Sequence, residues 1–298
     1  VSEPTLNEQC EAALDELLLG LDLEEIATDR FRGTEQRRIY THIFGGQLLA
    51  QAMAGAARTV DGKLPNSMHA YFVDAGNTNE PVEINVERIR DGRSVSTRGV
   101  SIIQHGRLLL NASCSFSTSQ ADNSTGDPPP DVSAPPDTPT LQHWLANASE
   151  GASMRAMSFI KYTPPVEIRM TEQPNFLGGL PADGTRSQWM RLPRAFPDNP
   201  LLNSLLMTYA SDYFLLDMIS RADQSRDPND TFNGTSLDHS LWFHCPVKFD
   251  QWHLYTQHVQ ALAGQRGLVR GTIHDIDGKL VASVMQEGLM RPPRKAGS

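Results

Sequence analysis

Two stretches of the chain are apolar on every side of a helix. Ile43 to Ala57 (IFGGQLLAQAMAGAA) carries no charged residue, and a helix without a polar face is buried nearly all round. Its Ala and Gly residues let strands approach closely. Leu201 to Ser220 (LLNSLLMTYASDYFLLDMIS) is apolar apart from Asp212 and Asp217 and reads as a second such helix. On it Leu205, Tyr209, Asp212 and Leu216 share one face by their 3, 4 spacing. Asp217 lies about 140° further round and is expected to meet solvent or a surface partner. Elsewhere the pattern alternates. Leu280, Ala282, Val284 and Gln286 recur at period two, which turns Gln286 to the apolar face of a strand.

The pattern then repeats. Arg98-Gly99, six residues and Gly106-Arg107-Leu108 is echoed by Arg270-Gly271, six residues and Gly278-Lys279-Leu280. Each is a β-rich run turning through glycine into a second run, the mark of a hairpin. Ahead of them lie Ser67-Met68-His69-Ala70-Tyr71-Phe72 and Ser236-Leu237-Asp238-His239-Ser240-Leu241. The echoes are 172 residues apart for the Arg-Gly pair and 170 for His69 and His239, which suggests duplication. Between the copies, Ser115 to Pro139 is dominated by Ser, Asp, Pro and Gly and reads as an extended linker with almost nothing to bury. The expected division is residues 1–117, a first repeat with a leading helical segment; 118–140, the linker; and 141–298, a second repeat. Each repeat has an early strand, one buried helix, then hairpin-connected strands. The expected fold class is therefore α+β, a double hotdog: two tandem repeats, each a central helix wrapped by an antiparallel sheet, with the sheets joined.

Composition narrows the function. The chain has 298 residues and a formal net charge of −9, poor equipment for a polyphosphate backbone, so no nucleic-acid partner is expected. The acidic start lacks the basic flank and apolar run of a signal peptide. No stretch approaches the ~20 apolar residues of a membrane span, so no stable membrane insertion is expected. The C-terminal Lys295-Ala296-Gly297-Ser298 is not a Ser-Lys-Leu address. Cys10, Cys114 and Cys245 form no C-x-x-C pair, suit a reducing compartment, and are read as small buried apolar residues. The expected location is cytoplasmic.

Five pieces in order carry a family resemblance: Phe44-Gly45-Gly46-Gln47-Leu48, His69-Ala70-Tyr71-Phe72, Arg90-Asp91-Gly92-Arg93-Ser94, Leu237-Asp238-His239-Ser240-Leu241-Trp242-Phe243-His244 and Val281-Ala282-Ser283-Val284-Met285-Gln286-Glu287-Gly288. From about Phe31 to Arg291 the chain resembles the medium-chain, type II acyl-CoA thioesterases, found in bacteria with relatives in peroxisomes. The resemblance implies an acyl-CoA substrate, hydrolysis to free fatty acid and CoA without cofactor or metal, and a homodimer or higher oligomer. It also implies that Asp212, Ser236 and Gln286 position a water on the thioester carbonyl, with Thr235 beside Ser236 as the alternative hydroxyl. After Tyr71-Phe72 the family usually continues Leu-Arg where this chain has Val73-Asp74, so no CoA contact is carried over there.

The residues can be weighed on their own terms. A carboxylate on an apolar face costs several kcal/mol unless partnered; an Asp of ordinary pKa, roughly 3.9, is ionised at neutral pH and accepts a proton from water. Asp212 is otherwise a structural acid, Gln286 a core hydrogen bond between strands, and Ser236 a turn hydroxyl. The Gly45-Gly46-Gln47 start of the first helix offers backbone N–H groups and a positive dipole end for an oxyanion, or else glycines for close packing. No G-x-S-x-G occurs, against a Ser-His-Asp hydrolase. Asp238 and His239 are neighbours on a strand and face opposite ways, against a hotdog hydratase or dehydratase. His239, His244 and Cys245 match no zinc spacing. A non-catalytic acyl-CoA binder is the remaining rival.

Overall fold

The computed structural model describes residues 4–34, 42–118, 125–148, 162–223 and 234–291. The tail Lys295–Ser298, Asn233 and residues 119–124 of the linker lie outside the described residues. Helix α1 (Leu6–Leu21) opens with a capping box, Thr5 and Glu8 each answering the other's backbone N–H, which satisfies two donors of the first turn. The first repeat continues with strands β1 (Glu24–Ala27) and β2 (Arg30–Gly33), helix α2 (Gly45–Ala57), and β3 (Leu64–Phe72), β4 (Val82–Asp91), β5 (Val95–Gln104) and β6 (Arg107–Ser117). A short α3 (Leu141–Ala146) precedes the second repeat: β7 (Glu167–Met170), β8 (Thr185–Arg191), helices α4 (Pro200–Ala210) and α5 (Leu215–Ala222), β9 (Gly234–Ser236), β10 (Asp238–Phe243), β11 (His253–Ala263), β12 (Arg266–Asp275) and β13 (Leu280–Met290).

Twelve of the thirteen described strands run in the order β1-β2-β4-β5-β6-β3-β10-β13-β12-β11-β8-β7, and β9 adds to β13. The order reads the same from either end once repeat-equivalent strands are matched. Its middle is the antiparallel pairing of β3 with β10, with Ala70 opposite His239 and Met68 opposite Leu241. One sheet thus passes from one repeat into the other, and the fold is the double hotdog that the pattern of elements suggested.

Helix α2 packs against β3, β4, β5 and β6 and against α4, while α5 packs against β11, β12 and β13. All residues from Gly46 to Ala56 are buried, as its charge-free sequence requires. Leu49 and Met53 are fully buried, each contributing about 1.5–3 kcal/mol of transfer free energy. The strands alternate: Ser96, Arg98, Val100, Ile102 and Gln104 of β5 all point inward. Buried Arg98 donates to Thr59 Oγ1, the Thr59 and Arg90 carbonyls and the Asp91 carboxylate, tying the end of α2 to the sheet.

Three expectations are corrected. The echoes chosen from the sequence are one residue out of phase with the structural repeat. Arg98 is buried while Arg270 is exposed, and His239 is buried while His69 is exposed. Strand starts that correspond, Val82 with His253 and Val95 with Arg266, are 171 residues apart, and a shift of one residue reverses which face a side chain takes. Secondly, Leu201 to Ser220 is not one helix; it breaks at residues 211–214 between α4 and α5. Thirdly, the end of the linker is not free of burial. Pro135 and Thr138 are buried, the Ser133 carbonyl accepts from Trp189 Nε1, and the Pro135 carbonyl from Arg169.

Candidate active site

The break between α4 and α5 is where the site begins. Phe214 takes a left-handed conformation (φ 65°), a placement worth roughly 1–3 kcal/mol of strain for a non-glycine residue. The carbonyls that an unbroken helix would satisfy find side chains instead. Tyr255 Oη donates to the Ser211 carbonyl at 2.8 Å and Gln257 Nε2 to the Tyr213 carbonyl at 2.7 Å. Both donors come from β11, so the sheet holds the turn open. Asp212 sits on this turn, half-buried.

Asp212 faces the start of α2. A β-carbon added to Gly45 would lie 2.7 Å from Asp212 Oδ2, and one added to Gly46 would lie 2.3 Å from the Tyr209 carbonyl oxygen. Glycine is what lets the two helices meet so closely. The N-terminal end of α2 therefore faces the carboxylate. Of the three residues read as oxyanion donors, Gly45 lines the cleft and Gly46 and Gln47 do not. The Gln47 N–H is engaged with the Phe44 carbonyl.

A cavity of about 590 Å³ opens here between the repeats. The first repeat supplies Phe44, Gly45, Leu48 and Phe72; the second supplies Phe176, Asp212, Tyr213, Phe214, Thr235 and Ser236. Phe44 stacks on Tyr213, Tyr213 on Phe214, and Phe214 on Phe176, an apolar wall that the sequence reading had not picked out. Asp74 also lines the cavity and is bound by Arg107 at 2.8 Å. The negative charge that departs from the family's usual Leu-Arg is thus met by a neighbouring cation.

Ser236 ends β9, opposite Gly288 of β13. Its hydroxyl accepts from Gln286 Nε2 at 2.9 Å. Among the described residues, Thr235 Oγ1 meets the Ser236 carbonyl at 3.5 Å, too long for more than a weak contact. Gln286 itself is buried and does not line the cavity; it stands behind Ser236. Its other end, Oε1, meets His239 Nδ1 at 2.6 Å, and His239 Nε2 meets Ser211 Oγ at 2.9 Å. Burial lowers the His239 pKa to about 4, so the imidazole is neutral at pH 7. Asp212 and Ser236 thus line the same cavity, and a chain of contacts runs behind it from Ser236 through Gln286 and His239 to Ser211, the residue before Asp212.

Asp217 overturns its expectation. It is buried rather than solvent-facing, and its carboxylate accepts from Arg186 Nη1 at 2.5 Å and from the Asn175 and Phe176 backbone N–H groups. Each oxygen has a donor, which is how a buried carboxylate remains tolerable. Asp238 turns away from His239 and accepts from the Glu287 N–H. His244 bonds Ser283. All three cysteines are buried and outside any disulfide, and burial pushes the Cys114 thiol up to about 12, the behaviour of an inert core residue.

Fold and cleft define a class: a double-hotdog protein with a cleft between its repeats, lined by an aromatic wall and by a carboxylate and a hydroxyl. Comparison with known proteins narrows it. Residues 155–289 match the family model described as acyl-CoA thioesterase, and residues 35–117 that of the acyl-CoA thioesterase N-terminal domain. The chain is 31% identical to human acyl-coenzyme A thioesterase 8, over 91% of this chain and 87% of that protein. It is 28% identical to acyl-CoA thioesterase 2 of Haemophilus influenzae, over 93% and 98%. The crystal structure of acyl-CoA thioesterase II TesB2 from Mycobacterium marinum superposes with a TM-score of 0.74 at 33% identity, covering 95% of this chain and 99% of that one. The chain belongs to the acyl-CoA thioesterase II family, and its enzyme class is thioester hydrolase.

Proposed function

We propose that the protein hydrolyses fatty acyl-CoA to free fatty acid and CoA by direct attack of a water held by Asp212 and Ser236, with Gln286 acting through Ser236. Asp212 accepts a proton from the water as its oxygen bonds to the thioester carbonyl carbon. The carbonyl oxygen becomes an oxyanion that the Gly45 N–H, at the opening of α2, stabilises. Collapse of the tetrahedral intermediate breaks the carbon–sulfur bond. The thiolate of CoA leaves and takes up the proton that Asp212 accepted. The apolar wall of Phe44, Phe176, Tyr213 and Phe214 suits the acyl chain and keeps bulk water from the reacting atoms.

The observation that carries this reading is the Gln286–Ser236 hydrogen bond beside the cavity that Asp212 and Ser236 both line. Free-thiol release from a panel running from acetyl- to stearoyl-CoA tests it, with Asp212→Asn beside the wild type. Asp212→Asn is expected to fold normally and to lose at least ~10²-fold in kcat, the size of a general base. A wild type that binds acyl-CoA but releases no thiol from any member of the panel would overturn hydrolysis and leave a binding protein. Full turnover in Asp212→Asn would remove Asp212 from the mechanism.

A further inference from the structure

The hydrogen bonds behind the cleft run one residue beyond those that the mechanism uses. His239 points inward from the middle strand β10 and is completely buried. Both of its ring nitrogens touch groups attached to the site. Nδ1 lies 2.6 Å from Oε1 of Gln286, whose Nε2 donates to Ser236. Nε2 lies 2.9 Å from the hydroxyl of Ser211, the residue before Asp212.

The protons on this chain can be counted. A carbonyl oxygen only accepts, so the contact with Gln286 Oε1 requires the hydrogen on His239 Nδ1. Complete burial keeps the imidazole uncharged at neutral pH, so Nε2 carries a lone pair and must accept. The Ser211 hydroxyl has one proton and two acceptors in reach, the Thr208 carbonyl oxygen at 2.8 Å and His239 Nε2 at 2.9 Å. With the Gln286 amide oxygen facing Nδ1, that proton belongs on the Nε2 side and the Thr208 carbonyl gives it up. With Oε1 occupied by the imidazole, the Gln286 amide turns its N–H toward Ser236 Oγ and uses one of its lone pairs. The proton of Ser236 then has to point elsewhere, and Ser236 borders the cavity.

We propose that His239 is a positioning residue: as its Nδ1–H tautomer it sets the direction of the Gln286 amide, and so turns the Ser236 hydroxyl proton into the cleft. The inference rests on the reading of Asp212 and Ser236 as the groups that hold the water. It gives that water a defined pose. One hydrogen goes to Asp212, one lone pair receives the Ser236 proton, and the other lone pair is free to attack the carbonyl carbon. The opposite tautomer would reverse every bond along the chain and present the water with a lone pair on Ser236 instead.

Nitrogen-15 NMR of the histidine side chains in the full-length protein reads the tautomer directly, with the His239 signals assigned by their loss in His239→Asn. The expected result at neutral pH is a protonated Nδ1 and a bare Nε2, retained as the pH is lowered through the ordinary histidine range. An Nε2–H tautomer or an imidazolium at pH 7 overturns the inference. Kinetics give the second arm. His239→Leu fills the space without a donor and is expected to lose about tenfold or more in kcat with little change in KM, whereas His239→Asn, whose amide N–H stands near the former Nδ1, recovers part of it. Equal kcat in wild type, Leu and Asn variants while Asp212→Asn is inactive also overturns it, as does an equal loss in both variants. Full turnover in Asp212→Asn, by contrast, marks failure of the underlying mechanism, and the NMR result distinguishes the two.

Discussion

Gly45 and Gly46 are adjacent, yet their neighbours differ in kind, and that difference predicts different phenotypes. The added carbon of Gly45→Ala meets the end of the Asp212 side chain, which can rotate away. Folding should survive with a loss within about 1 kcal/mol, while kcat falls at least about tenfold because the base has been displaced. Gly46→Ala meets the Tyr209 carbonyl at 2.3 Å, where backbone must move. Its expected cost is about 1–3 kcal/mol, the range for overpacking, read as a lowered urea midpoint. Urea melts beside thiol-release assays separate the two effects. Equal destabilisation in both variants would show that Gly45 serves packing alone.

At the scale of elements, the interrupted helix decides where Asp212 stands, and the Arg186–Asp217 pair clamps the far side of that interruption. Arg186 from β8 grips Asp217 on the first turn of α5, which also anchors the backbone of Asn175 and Phe176. Asp217→Asn leaves a buried guanidinium without its counter-charge. The expected destabilisation is about 3–5 kcal/mol, measured by urea denaturation. A cost below about 1 kcal/mol would mean that water reaches the pair. Neither the break nor the clamp was legible in the sequence. No Gly or Pro lies between Leu201 and Ser220 to mark an end, and the partners that hold the turn, Tyr255 and Gln257, come from a strand some forty residues later. Helix α2 was legible because its lack of charge admits only burial. Gln286 was legible as inward-facing from its period-two neighbours, but not its place behind Ser236, which depends on β9 pairing with β13. Parity likewise separated His239 from Asp238 without revealing that His239 ends up beside Gln286.

The whole molecule is organised around the β3–β10 seam. One buried apolar cluster extends from α1 residues such as Leu14 to Val284 of β13, and the sheet crosses the seam without interruption. The two repeats should therefore unfold together. Far-UV circular dichroism and tryptophan fluorescence are expected to give one coincident urea transition. The comparison is informative because Trp144, Trp189, Trp242 and Trp252 all lie in the second repeat or just ahead of it, whereas dichroism reports on both. A fluorescence transition separated from the dichroism transition would show that the halves are independent in stability.

The seam also lifts a constraint of symmetry. Two identical hotdogs related by a two-fold axis must repeat every residue at both of their clefts. A glycine needed at one helix start and an aspartate needed at the other could not then be chosen separately. Joined in a single chain, the partners are free to diverge: α2 carries no acid anywhere from Gly45 to Ala57, and the helical segment of the other repeat carries Asp212. Covalent linkage fixes their ratio at one to one, so this cleft can draw on unlike contributions without depending on the concentration of a partner.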